Sequence, residues 1–354
     1  MNPVLIPPMH ANPGDQPPAL TLERIFTAWT FDPAIAIAAA VTIGLYLWGV
    51  IVLARRGVKW PLSRTLAWCL GGVGIGVVAT MSSLGAYDTV LLSMHMVQHM
   101  LLAMMVPVFL AVGAPATLML RTLPQRPRRW LVWLLHSRLA KVAMHPVLTY
   151  CLFVFNPFVL YFTDLYDLTL RSEFWHNWLH LHFIVTGCLF FWPLLGNDPV
   201  PTRLVYPLRM LLLFATLPFH AFLGVIIMGS HDLIGEEWYL SFERTWGPSI
   251  AEDQYVGGGI LWGSGDLTIL VIMAVLFVQW VRDSNKEAVR EDRRLDRLEA
   301  EENRRRARDA AETGYDRPGD GSSSTTSGAA APAPTEVPAT DQHVAASQTR
   351  NPDE

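Results

Sequence analysis

The chain has 354 residues, of which 51% are hydrophobic and 16% charged, with a net charge of −4. That balance excludes an ordinary soluble globular domain and gives no basic surface for nucleic acid, so the class is an integral membrane protein. The cysteines, Cys69, Cys151 and Cys188, stand singly in separate apolar runs, which excludes both a disulfide framework and a CxxC thiolate site.

Residues 1–31 are polar and proline-rich, without a basic start leading into a short apolar core. They are expected to form an extracytoplasmic polar tail and not a cleavable signal peptide. Residues 32–281 then carry seven apolar runs long enough to span a bilayer, at 33–54, 62–83, 88–112, 145–163, 174–196, 204–229 and 258–281. The expected fold is all-α, a polytopic bundle of seven transmembrane helices.

Basic residues alternate between the connections. Arg55, Arg56, Lys59 and Arg64 follow the first run, Arg121, Arg126, Arg128, Arg129, Arg138 and Lys141 follow the third, and Arg203 and Arg209 follow the fifth. The other connections are acidic or poor in Lys and Arg. The positive-inside rule therefore puts the N-terminus outside and the C-terminus in the cytoplasm. Within the third connection, residues 128–142 mix tryptophan, leucine and bases over too short a length to cross, as an amphipathic surface helix does, with His136 at the interface. The run Gly71 to Gly76 has no strand before it and reads as close helix packing, not a nucleotide loop. Residues 282–312 alternate acids and bases, as a solvated cytoplasmic helix does, and 313–354 turn to Gly, Ser, Thr, Ala and Pro, which predicts disorder.

Histidines inside these runs need an explanation, because imidazole is costly in hydrocarbon. His95 and His99 lie four residues apart in the third run, and His176 and His180 repeat that spacing in the fifth, so each pair shares one helix face. His220 lies in the sixth run just after Pro218, and Asp266 lies in the seventh. At about 1.5 Å per residue all of them fall in the outer half of the membrane. His182 is turned away from the pair on its own helix. Neutral imidazole suits copper, zinc, iron and nickel, and thioether sulfur favours Cu(I). Met94 and Met96 flank His95, with Met100 and Met104 beyond. The expectation is an outer-leaflet His/Met site for Cu(I). Three other readings fit the same residues: imidazoles that hydrogen-bond helix to helix, axial ligands of a haem-binding redox protein, and a pathway for copper or protons.

Three segments carry a resemblance: HMVQHMLLAMMVPVFLAVGAP (95–115), WHNWLHLHFIVTGCLFFWPLLG (175–196) and EDQYVGGGILWGSGD (252–266). Together they resemble the CtaG-type cytochrome c oxidase assembly factors, multi-spanning proteins of the bacterial cell membrane. The resemblance implies a non-catalytic chaperone role in producing active haem-copper oxidase, with copper handed over to the enzyme. Its implied partners are oxidase subunits and other assembly or copper-chaperone proteins. It carries onto His95, Gln98, His99, His176, His180, Asp253, Gln254 and Trp262. Gln98, Asp253, Gln254 and Asp266 are expected to back the ligating imidazoles by accepting their second N–H. Asp253 and Gln254 have the alternative of capping the seventh helix.

Overall fold

The computed structural model describes residues 4–5, 18–196, 198–201, 204–242 and 244–315. Its described residues are almost entirely helical, apart from a two-residue parallel pairing of Val4–Leu5 with Ala28–Trp29. Six helices are long and apolar enough to cross a membrane: Pro33–Arg55, Leu62–Tyr87, Leu92–Thr122, Glu173–Leu195, Tyr206–Gly229 and the apolar part of Ile250–Tyr315. The fourth apolar run is a bent pair, Pro146–Tyr161 and Leu165–Arg171, which meet at 70° and make a seventh span when taken as one. We refer to these as the first to seventh spans in chain order.

The bend in the fourth span has a local cause. Pro157 removes one intrahelical donor. At the break, the Thr163 hydroxyl takes up the amide of Leu165 at 3.3 Å, offering the backbone a turn in place of a continued helix. The third span is also irregular. It widens to π-type turns at Leu101–Met105, just beyond the His95/His99 pair, and restarts at Pro115 after Ala114, whose φ of 51° is left-handed.

Carboxylates hold the starts of these helices. Asp198 accepts from the amides of Ala116 (3.0 Å) and Thr117 (2.7 Å), and so satisfies the restarted segment of the third span. Asp32 does the same for the first span at Ala34 (2.7 Å) and Ile35 (3.2 Å).

Small residues set the helix crossings. A Cβ on Gly187 would stand 2.2 Å from the Ala103 carbonyl oxygen and 2.5 Å from Pro107, so the fifth span lies directly on the backbone of the third. Gly71 and Gly72 likewise admit Phe109 and Leu110, and Gly224 meets Gly258 and Trp262. This is the close approach that stands in for hydrophobic drive inside a bilayer. The first span is held more sparsely. Its buried residues are Tyr46, Gly49 and Leu53, all in the half away from Asp32, with the Tyr46 hydroxyl donating to the Gly113 carbonyl at 2.7 Å.

The basic segment forms two helices, Gln125–Leu135 and Arg138–Ala143, neither with a buried residue; Trp130 and Trp133 are each 64% exposed. The chain divides into a unit of residues 1–288 and a second beginning at Val289. The described part of the second unit is an exposed charged helix with pairs such as Arg306 and Glu302 at 2.6 Å. Expectations for residues beyond Tyr315, and for most of 1–17, lie outside the described residues.

Replacing Gly187 with Ala forces backbone against backbone, and overpacking of this kind costs about 1–3 kcal/mol. Thermal unfolding of the detergent-purified protein should show Gly187→Ala melting well below wild type. Gly44→Ala, whose new methyl group meets nothing within 4 Å, should melt with wild type.

Candidate metal centre

The Gly187 crossing brings the two histidine pairs face to face. His95 and His99 are one turn apart on the third span, their ring centroids separated by 6.4 Å; His176 and His180 are one turn apart on the fifth, at 4.5 Å. His95 faces His176 at 6.2 Å. Between the second and third spans lies Asp88, only 3% exposed, and its carboxylate points at the fifth-span pair. His176 Nε2 donates to Asp88 Oδ2 at 2.8 Å, and His180 Nε2 lies 3.7 Å from the same oxygen. One ligand atom from each of Asp88, His176 and His180 falls within 4.8 Å of the others.

Gln98 and His95 complete the surroundings. The Gln98 amide donates to the Ala79 carbonyl at 3.0 Å, which turns its oxygen toward His180 Nε2 at 2.9 Å. His95 is 0% exposed, yet neither of its ring nitrogens has a hydrogen-bond partner. An imidazole buried without partners forfeits its solvation, about 1–3 kcal/mol, unless something else occupies a nitrogen. His99 is better satisfied. It stacks on Phe183 at 4.0 Å and shares a 2.8 Å hydrogen bond with the Tyr161 hydroxyl.

Aromatic residues roof the group. The Tyr166 ring stands 5.0 Å from that of His95, and its hydroxyl meets that of Tyr239 at 2.7 Å. Trp238, beside Tyr239, donates to the Thr89 carbonyl at 2.9 Å. The segment carrying them is held by Gln254, which accepts from Ile234 N at 2.8 Å and donates to the carbonyls of Ile227 (3.2 Å) and Asp232 (3.3 Å). A cavity of about 60 Å³ reaches the group from the side, lined by Asp32, Asp88, Glu173, His176, Asn177 and His180 among others. His180 also borders an apolar cleft of about 440 Å³ between the first span and the second, third and fifth.

Of the residues singled out in the sequence, His95, Gln98, His176 and His180 come together here, with His99 one turn deeper. His220 is buried elsewhere, its Nδ1 3.2 Å from the Thr216 carbonyl and its ring against Gly265 and Met100. Met96 lies against Gly257 of the seventh span, and Met94 is half-buried in the core. Asp253 does not back an imidazole and does not cap its own helix. It accepts from Leu92 N at 2.6 Å and from the Ser93 hydroxyl, because the seventh span starts beside the exposed amides of the third. Gln254 serves the loop described above. Asp266 lies outside the group with its Oδ1 unpartnered, and Trp262 packs at Gly224. Sequence reasoning missed Asp88 and the tyrosines. Asp88 did carry a signal, since it is the only acid between Asp32 and Asp164 and lies two helical turns before His95.

A family model described as cytochrome c oxidase caa3 assembly factor (Caa3_CtaG) matches residues 44–283. Uncharacterized proteins of Mycobacterium bovis and Mycobacterium tuberculosis are each 42% identical over 288 residues, covering 79% of this chain and 43% of theirs. An uncharacterized protein of Mycobacterium leprae is 39% identical over 295 residues, covering 81% of this chain and 44% of its own. The chain thus spans less than half the length of these curated relatives. No solved structure matches it.

Asp253→Ala removes a buried cap, a change worth about 0.5–2 kcal/mol. Its expected effect is a lower melting temperature with metal affinity per folded molecule unchanged. Thermal unfolding alongside metal titration checks this, and a loss of affinity at unchanged stability would return Asp253 to the metal centre.

Proposed function

The chain belongs to the cytochrome c oxidase caa3 assembly factor family, and from that premise we propose that it holds copper as cargo at the Asp88, His176 and His180 group and passes it to the oxidase, turning over no substrate. A bundle of apolar helices from a bacterial oxidase assembly family is a multi-pass inner-membrane protein, which is where the recipient enzyme lies. The observation that carries the proposal is a buried carboxylate and two imidazoles within bonding range of one ion, next to His95 with both nitrogens unpartnered.

Each residue has a part. Asp88 supplies the negative charge that makes a cation affordable in an apolar setting. His176 and His180 supply imidazole nitrogen, and His95 stands ready as a further nitrogen donor. Gln98, 2.9 Å from His180 Nε2, orients that ring and brings an amide oxygen beside the ligand atoms. The tyrosine roof keeps bulk water off the ion. Copper as cargo is favoured over haem because the rings of Tyr161, Tyr166 and Phe183 already pack around His95, at 6.1, 5.0 and 6.4 Å, where a macrocycle would have to lie. Oxidase subunits are the recipients in this reading, and other assembly or copper-chaperone proteins the donors.

Loop charge orients the proposal. With the Arg- and Lys-rich connections in the cytoplasm, Asp88 and the tyrosine roof face outward. A reporter fused after Val281 should be active only in the cytoplasm, and activity only outside would reverse the assignment.

The central test is substitution. His95→Ala, His176→Ala and His180→Ala should each lower oxidase activity while the protein stays in the membrane at near-normal level. An imidazole that only joins helices is worth about 0.6–2 kcal/mol, so its loss would show mainly as reduced abundance. His182→Ala should leave oxidase activity intact, because its ring is occupied with Asn156 at 2.9 Å, on another face of the helix. Normal copper binding by all three variants together with lost oxidase would replace the metal centre with a docking scaffold.

A further inference from the structure

We infer that the cation this centre takes is divalent, with the Asp88 carboxylate as a direct ligand, in place of the Cu(I) that the methionine-rich sequence suggests. The inference rests on the reading that the group holds a metal, and adds which kind.

The donor set carries the argument. It consists of a carboxylate oxygen from Asp88, an amide oxygen from Gln98 and imidazole nitrogens from His176 and His180, with His95 beside them. Oxygen donors select harder cations, and thioethers and thiolates select Cu(I). The separations agree with this. Asp88 Oδ2 to His176 Nε2 is 2.8 Å, Gln98 Oε1 to His180 Nε2 is 2.9 Å, and Asp88 Oδ2 to His180 Nε2 is 3.7 Å. Metal bonds of about 2.0–2.2 Å place neighbouring ligand atoms about 3–3.5 Å apart, so modest shifts would seat an ion among them.

Two of the methionines are on a different side. Met96 and Met100 follow His95 and His99 by one residue each, about 100° round the helix. Met96 Cγ is 3.3 Å, and Met100 Cε 3.1 Å, from where a Cβ on Gly257 and on Gly265 of the seventh span would stand. The imidazoles meet the fifth span, so the third span separates its nitrogen face from its sulfur face. Charge alone would not select the divalent ion, since one buried carboxylate neutralises a monovalent cation and leaves one positive charge with a divalent one. It is the donor atoms that select it, with the oxygen atoms of Gln98 and of the acid-lined cavity placed to share that charge. Among divalent ions the donor set ranks Cu(II) above Zn(II).

The test uses the full-length protein purified in detergent and titrated separately with Cu(II), Zn(II) and, anaerobically against a Cu(I) chelator, Cu(I). The expected result is one Cu(II) per chain, with nitrogen hyperfine structure from at least two imidazoles in its electron paramagnetic resonance spectrum. Asp88→Asn should weaken Cu(II) and Zn(II) by more than about tenfold, at or beyond the lower end of what an outer partner of a metal site is worth. Met96→Leu and Met100→Leu should leave both affinities within about threefold of wild type. Asp88→Glu, which keeps the charge, should retain more Zn(II) affinity than Asp88→Asn, and this comparison serves even where the amide variant is poorly folded. Tighter Cu(I) binding that falls in the methionine variants and is indifferent to Asp88 overturns the inference but leaves the copper-holding function standing. Failure of wild type to bind any of the three ions overturns both.

Discussion

A carboxylate inside a bundle of apolar helices has to be compensated or its burial is prohibitive, and the arrangement around Asp88 follows from that constraint. The acid lies where the second span ends and the third has not begun, so its oxygen atoms face across to the fifth span. There His176 meets it at 2.8 Å with His180 close behind. That meeting requires the fifth span to lie against the third, which the missing side chain at Gly187 allows. The roof of Tyr166, Tyr239 and Trp238 closes over the result. A cation placed in this group supplies the remaining positive charge and gives His95 a use for a nitrogen that is otherwise orphaned.

The buried Asp198 and Asp253 and the half-buried Asp32 each lie against a helix start and accept from its backbone amides. Such a carboxylate is satisfied by the fold itself and complements the positive end of the helix dipole. Asp88 instead faces imidazoles, groups whose protonation and ligation can change. Three of these four acids are thereby accounted for by helix starts and one is not, although nothing in their local composition separates them.

Depth was legible in the sequence and direction was not. Apolar runs of about 20 residues fix where a chain crosses, and the i, i+4 spacing fixes that His95 shares a face with His99 and His176 with His180. The structure keeps both, as it keeps the close packing at Gly71 and Gly72. What spacing cannot say is which neighbour a face meets. His220 has the right depth but turns to Gly265 and Met100, and Met96 is adjacent to His95 in sequence but belongs to the seventh-span contact. Asp253 looked like a backing group for a histidine and is a cap on a helix some 160 residues earlier. The broken fourth span escaped for a related reason, because hydropathy averages over a turn that one hydroxyl is enough to stabilise.

Holding a cargo also requires that it come and go, and the same burial that favours binding opposes exchange. The cavity beside His176 and His180 is small, about 60 Å³. An ion entering that way meets the side chains of Glu173 and Asn177 on its wall, whose oxygen atoms can replace part of its hydration shell. His180 also borders the adjoining apolar cleft, which shares Asp32, Ile35, Thr80 and Asn177 with the cavity and whose near wall is the half of the first span without a buried residue. The helix of the first span is anchored at Tyr46, Gly49 and Leu53, far from Asp32, while its other end is tied through the segment before it, where Thr30 N donates to the Met81 carbonyl at 2.9 Å. The span that would have to yield for the centre to open is therefore the least buried of the described candidate spans, while the third and fifth spans, which position the ligands, meet backbone to backbone.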